Sequence, residues 1–299
     1  MSLSHTMSID EAFVEVEARA REREQALLVA GAIGGPFTIA VYTPLRNAIT
    51  LGSKDATVGA AALYARCFAR GAAGGWTGWL APTVFSCPQF LAMGPLYHAY
   101  AEALGGASAA IIPTAMTESL ISFGSQARNA QLAYNASRPA GAPAVALQQP
   151  WDPRGAGFAP HVARNACAMS GIRVLSGPVS AAIDVTCRAL GFDADARARA
   201  IAADFASSVL AAAISMPFNQ IFNYLATTPR DARAEASVLR SCVAFLRSQY
   251  LVACPKTGGL RLSRTVLRDG FMRCMYIAPQ LSTFSAIERL CLLKVADGG

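Results

Sequence analysis

Histidine is almost missing from this chain: His5, His98 and His161 are the only three. So few, spaced so widely, exclude a multi-histidine metal centre. His98, in "PLYHAYAEAL", is expected to be an interfacial or packing residue. Cysteine is present but unorganised. Cys67, Cys87, Cys167, Cys187, Cys242, Cys254, Cys274 and Cys291 form no CxxC pair and no close cluster with histidine. Neither a zinc site nor a disulfide framework is expected from such a scatter. No nucleophile–base constellation stands out, so the reading is of a non-enzyme with no catalytic residue, metal or cofactor. Charge is the third scarcity, at 15% of residues against about a quarter in ordinary soluble domains. The opening "MSLSHTMSIDEAFVEVEARAREREQ" also lacks the apolar core of a secretory signal, so targeting is expected to be internal.

What the chain has instead is apolar length. Hydrophobic residues make up 53% of it and the mean hydropathy is +0.33. No charge occurs from Gln25 to Leu45, from Gly71 to Ala101 or from Phe205 to Pro229. Each run is about long enough to cross a hydrocarbon core as helix. Three further stretches carry one charge each: Ala103 to Ala127 (Glu118), Asn165 to Ile183 (Arg173) and Gly270 to Ile287 (Arg273). Six transmembrane spans are therefore expected.

The spans repeat. Pro44, Pro113 and Pro217 each follow a small-residue-rich apolar segment and precede a polar, partly basic stretch. A second apolar segment follows, containing its own proline and ending near an acid: Glu102, Asp184 or Glu288. Helix, proline, long loop, helix, acid is one unit used three times, over residues 1–104, 105–191 and 192–299. A helix-internal proline removes a backbone hydrogen bond, so a kink is expected at each of the three.

The loops expected between paired helices, 45–74, 118–164 and 218–269, hold 16 Lys and Arg against 6 Asp and Glu. Positive charge gathers on the inner side of membrane proteins, so these loops should face the inner compartment and both termini the other. The net charge of +7 then follows from topology, and no nucleic-acid partner is inferred from it. Two loop stretches keep helical periodicity. One carries Leu63, Cys67 and Phe68 on one face, and the other Val238, Cys242, Phe245 and Leu246. They read as short amphipathic helices lying in the membrane interface. The Pro/Gly-rich second loop reads as irregular.

This organisation resembles the mitochondrial carrier family, whose three tandem repeats each hold two transmembrane helices and a short matrix helix. The best-matching stretches are "VAGAIGGPFTIAVYTPL" and "GFMRCMYIAPQLSTFSAIERL". The resemblance implies an all-α membrane protein: six transmembrane helices in three two-helix repeats, a pseudo-threefold bundle with short matrix amphipathic helices. It implies the mitochondrial inner membrane, with termini on the intermembrane-space side. Glycines 31, 34 and 35 would let neighbouring helices approach closely.

The family's gate motif is proline, any residue, an acid, two residues, then a base. Here the acid and base positions hold Arg46 and Ile49, Ala115 and Glu118, and Asn219 and Phe222. The matrix-side charge network is thus absent. The far-side acids Glu102, Asp184 and Glu288 remain, without the bases that follow them in the family. Arg173 and Arg273, each alone in an apolar span, are candidate anion contacts. Trp76, Gly78 and Gly270 keep part of the motif that would hold cardiolipin.

Two functions follow from the resemblance. Loss of the gate charges points to a carrier-fold protein that no longer transports. It would serve as an accessory subunit of a respiratory complex or the ATP synthase, its partners being the lipid bilayer and neighbouring inner-membrane subunits. Its matrix side would then be held by packing around Ile49 and Phe222. The alternative is a divergent carrier that exchanges a small anionic metabolite through Arg173 and Arg273.

Overall fold

The structure, a computed structural model, describes residues 9–192, 195–233, 237–254 and 259–297. Side chains are described from Gln25 onward except at 172, 197, 288 and 292–297. The chain is mostly helical. Its long helices are α1 (Ile9–Gly52), α3 (Leu80–Ala103), α4 (Ala107–Ser137), α7 (Ala196–Thr227) and α9 (Arg264–Asp297). A sixth long rod joins α5 (Phe158–Ser170) to α6 (Ser176–Ala189) through a π-helical segment, Gly171–Leu175. Two short helices, α2 (Ala60–Cys67) and α8 (Val238–Tyr250), lie in the connections. One small hairpin pairs β1 (Leu251–Ala253) antiparallel to β2 (Leu260–Leu262).

The rods close a ring. α1 packs on α3, α3 on α4, α4 on α5, α5 and α6 on α7, α7 on α9, and α9 back on α1. The alternate rods α1, α4 and α7 also touch one another across the middle. Close approach at one seam depends on Gly31, where a Cβ would sit 2.6 Å from the backbone oxygen of Phe90 on α3.

Among the described residues, three helical stretches are long and apolar enough to cross a membrane: Gln25–Gly52, Phe158–Ala189 and Ala198–Thr227. These hold three of the six stretches picked out by charge spacing. The other three rods are diluted by polar residues. α4 carries Ser122, Ser125, Gln126 and Asn129, while α9 carries Arg264, Arg268, Asp269 and Arg273. α3 carries Gln89 and two internal prolines, Pro88 and Pro95, within one continuous helix.

The polarity of the rods is inverted relative to a bundle folded in water. Apolar side chains stand outward at four-residue steps: Val29, Ile33, Phe37 and Val41 on α1, Ile112, Met116 and Leu120 on α4, and Leu267, Phe271 and Met275 on α9. Polar side chains turn inward: Arg46, Asn47 and Thr50 on α1, Ser122, Ser125, Gln126 and Asn129 on α4, and Ser215, Asn219 and Asn223 on α7.

The loops are shorter than their charges suggest. α1 continues past Pro44 to Gly52, and α7 continues past Pro217 to Thr227. α4 runs on to Ser137, so the loop expected to begin at 118 begins after 137. A charge ends an apolar run but need not end a helix, because these charges face a polar interior. Pro113 consequently lies in the first turns of its helix, whereas Pro44 and Pro217 lie in the last turns of theirs.

Both short helices occur where the periodicity put them. Their apolar faces, however, pack on the bundle rather than lying free in the interface. Leu63 of α2 is fully buried with Ile49, Leu51 and Met272, and Cys242 and Phe245 of α8 cluster with Ile221 and Leu225 of α7. The irregular second connection is as read: among the described residues, 138–157 contain no helix.

Candidate functional site

The inward polar faces line a narrow cavity of about 70 Å³. Three arginines from three rods line it. Arg46 comes from α1, Arg164 from α5 and Arg273 from α9, with exposures of 7%, 5% and 3%. Glu118 of α4 is the single acid among the described lining residues.

The guanidinium groups are held mostly by neutral acceptors. Arg46 Nη2 donates to the backbone oxygen of Gln126 at 3.2 Å. Arg164 Nη1 donates to Asn219 Oδ1 at 2.9 Å, its Nη2 donates to Gln126 Oε1, and its guanidinium lies 4.3 Å from the centre of the Phe222 ring. Arg273 donates from Nη1 to the same Asn219 Oδ1 at 3.1 Å and from Nε to Ser215 Oγ at 3.2 Å. Glu118 is engaged elsewhere, accepting from Gln89 Nε2 of α3. It forms no described ion pair with Arg46, the partner that an exchange of gate charges would give it.

Two buried donors in this group, Arg46 Nη1 and Arg164 Nε, have no partner among the described residues. An unmade bond on a buried charged group costs about 1–3 kcal/mol or more. Three cations facing one acid in a site screened from water lack compensation that a bound anion would supply. The site can therefore do one thing well: hold a small anion by guanidinium forks.

Toward the loop side, α1, α4 and α7 are joined by uncharged groups. Asn129 Nδ2 donates to Asn47 Oδ1 at 3.3 Å and to the Thr77 backbone oxygen at 3.0 Å. Thr50 Oγ1 donates to Asn223 Oδ1 at 3.4 Å, and Gln131 Nε2 donates to the Ala226 oxygen at 3.1 Å. A buried pair, Ser122 Oγ and His161 Nε2, stands 3.1 Å apart between α4 and α5.

The residues singled out from the sequence are distributed unevenly around this site. Arg46, Ile49, Glu118, Asn219 and Arg273 line the cavity. Phe222 is buried just beside it, beneath Arg164. Ile49 and Phe222 do not pack together: Ile49 lies with Leu63 and Tyr276, Phe222 with Phe123 and Ala127. Ala115 belongs to a third cluster with Phe90 and Met93. Arg173 lies outside the cavity lining, 5.3 Å from the Tyr97 ring centre.

Of the far-side acids, Glu102 is exposed and Asp184 pairs with Arg199 of α7 at 2.9 Å. The side chain of Glu288 lies outside the described residues. Trp76 donates from its indole nitrogen to the Ala40 oxygen at 2.9 Å, which ties the segment preceding α3 to α1. Gly78 has φ +76° and faces Asn129, while Gly270 has open space around it. His98 is exposed beside Tyr97.

Arg164 and Gln126 were not picked out by sequence reasoning. A signal existed on α4, where Ser122, Ser125, Gln126 and Asn129 recur at helical spacing as a buried polar stripe. No protein-family model and no curated protein matches the sequence.

Proposed function

We propose that the protein is a carrier-like membrane protein that binds a small anionic metabolite in its axial cavity and exchanges it across the mitochondrial inner membrane. In this reading all six rods span the bilayer as three two-helix repeats about a pseudo-threefold axis, with the termini on the intermembrane-space side. The observation that carries it is the charge imbalance in the cavity: Arg46, Arg164 and Arg273 against Glu118 alone, with two guanidinium N–H groups unpartnered. The apolar stripes outside and polar faces inside support the membrane setting. Lipid phosphate, cardiolipin included, would then meet the segment that starts α3.

The accessory-subunit reading draws on a different observation. Amides and hydroxyls, rather than acid–base pairs, join α1, α4 and α7 on the loop side. A gate without charge pairs has no charge switch to open and close it in each cycle. Such a protein would remain bound in a respiratory complex or the ATP synthase.

The test is ligand-induced stabilisation of the purified protein in neutral detergent. Succinate, citrate, inorganic phosphate and nucleotides should be screened for a rise in Tm, which follows mass action. At least one should raise it by several degrees, and Arg164→Gln should abolish that rise. Absence of any shift, with exchange in liposomes no faster than in empty vesicles and migration in a stoichiometric large complex, would select the accessory-subunit reading.

A further inference from the structure

The loop-side mouth of the bundle gathers a second set of cations. Lys54 follows the end of α1, and its Nζ donates to Thr228 Oγ1, just beyond the end of α7. The same ammonium lies 5.1 Å from the Tyr134 ring centre and 5.2 Å from that of Tyr224. Arg138, just past the end of α4, lies 5.5 Å from the same Tyr134 ring. Arg233 donates from Nε to the backbone oxygen of Thr228 at 3.3 Å. Two shared partners, Tyr134 and Thr228, thus bring three cations from the ends of α1, α4 and α7 to one place.

No described acid offsets them. Asp55, next to Lys54, accepts from the Thr57 hydroxyl at 2.7 Å and pairs with Arg66 at 3.0 Å. The space in front is about 630 Å³, with Lys54, Arg66, Arg70 and Arg138 among its lining residues, while Arg233 lines a neighbouring pocket together with Thr228.

We infer that this mouth is a second anion site, distinct from the axial cavity, with Lys54, Arg138 and Arg233 as its cationic ligands and a phosphate-bearing anion of two or more charges as its occupant. The ligand oxygens would satisfy three cations that now face one another. Two guanidinium forks and an ammonium suit phosphate oxygens better than a single carboxylate. Soluble phosphates and anionic lipid headgroups share this chemistry.

The site has a proton signature. Burial first, then the Arg138 and Arg233 guanidinium groups, bring the Lys54 ammonium down to about 8 from its ordinary 10.5. The groups facing it are Tyr134 and Arg138 at the end of α4, Tyr224 and Arg233 at the end of α7 and after it, and Asp55 beside it on its own segment. A bound polyanion favours the charged ammonium and raises that value again. Near pH 8.5 binding should therefore take up a proton, and affinity should fall as pH rises above 8.

The experiment is calorimetric titration of the full-length protein with inorganic pyrophosphate in neutral detergent, at pH 8.5 in two buffers of different ionisation enthalpy. Proton uptake is expected relative to Lys54→Gln, a difference that cancels the proton pyrophosphate itself releases on binding. Lys54→Gln, Arg138→Gln and Arg233→Gln should each weaken binding about tenfold, and Lys54→Gln should also remove the uptake. Thermal unfolding of each variant checks that it is folded. Binding that survives Arg164→Gln and is lost in Lys54→Gln belongs to the mouth. Binding lost in Arg164→Gln and unchanged in all three mouth variants belongs to the axial cavity and overturns the second site.

Two nanodisc arms separate the sources. Pyrophosphate binding retained in phosphatidylcholine and lost with phosphatidylglycerol means that the lipid headgroup occupies the site. Binding retained in both assigns it to soluble phosphates. No binding in detergent or in either nanodisc overturns the proposal.

Discussion

Arg164 and Arg273 reach from different helices onto one acceptor, Asn219 Oδ1, at 2.9 and 3.1 Å. A neutral amide thus stands where two guanidinium groups converge. Its position, two residues after Pro217, is one where carriers place an acid. Asn219→Asp should turn two guanidinium–amide bonds into ion pairs, stabilising the fold by about 1–3 kcal/mol. The same change should weaken anion binding in the cavity at least tenfold, because the new carboxylate takes the place of the ligand's charge. Tm and anion affinity should therefore move in opposite directions, which thermal unfolding with and without ligand will measure.

Arg268 pins the first helix to the last. It donates to the backbone oxygens of Gly52 and Val58, each at 2.8 Å, and pairs with the buried Asp269 at 2.8 Å. Arg268→Met should destabilise the protein by about 3–5 kcal/mol, since it takes the cation from a buried carboxylate that otherwise accepts from the Tyr250 hydroxyl. Arg268→Met with Asp269→Asn should recover a substantial part of that loss. Denaturant unfolding in detergent distinguishes the two; a double variant no more stable than the single one contradicts the account.

Gly124 faces the connection that follows its own helix. A Cβ there would lie 2.5, 2.6 and 2.7 Å from the backbone oxygens of Gln149, Asp152 and Pro150. Backbone cannot rotate aside as a side chain can, so Gly124→Ala should cost about 1–3 kcal/mol or more. Gly94→Ala, with nothing within 4 Å of its Cβ position, should be free of any steric penalty. The pair of Tm values is the measurement.

Burial pushes the Cys67 thiol up to about 11 from its ordinary 9.0. Only the thiolate reacts with iodoacetamide. At pH 8 Cys67 in the folded protein should alkylate roughly a hundredfold more slowly than in the unfolded chain, by the change in thiolate fraction. Peptide mass mapping after timed alkylation reads this directly, and comparable rates in both states would refute it.

The connection carrying Arg230, Asp231 and Arg233 should lie on the inner side, by its share of positive charge. Protease added to sealed mitoplasts should spare it and cut the N-terminal segment. Cleavage between 229 and 250 in sealed mitoplasts would reverse the topology.

Much of the helical plan was legible in the sequence. The uncharged run after Gln25 and that after Phe205 fall within α1 and α7. The spacing of Leu63 with Cys67, and of Cys242 with Phe245, marked α2 and α8. The far half of α4 escaped, because a composition such as "SFGSQARNAQ" normally signals a solvated loop. Around a polar axis the rule inverts: Ser122, Gln126 and Asn129 are the packed side of their helix. Arg164 escaped for the same reason, since a charge closing an apolar run looks like a loop boundary and here is the lining of a cavity. The β1–β2 hairpin was missed because three-residue strands carry too little pattern to register.

In the proposed membrane setting, the inward polarity makes electrical tightness the property most easily lost. A hydrated axis conducts wherever it opens at both ends, and each elementary charge that crosses dissipates about 2.3 kcal/mol per 100 mV. The uncharged contacts among Asn47, Asn129, Thr50 and Asn223 then serve as insulation between two aqueous compartments. Damage to that layer would first be felt as ion leak and a falling membrane potential, while the helices around it still stood.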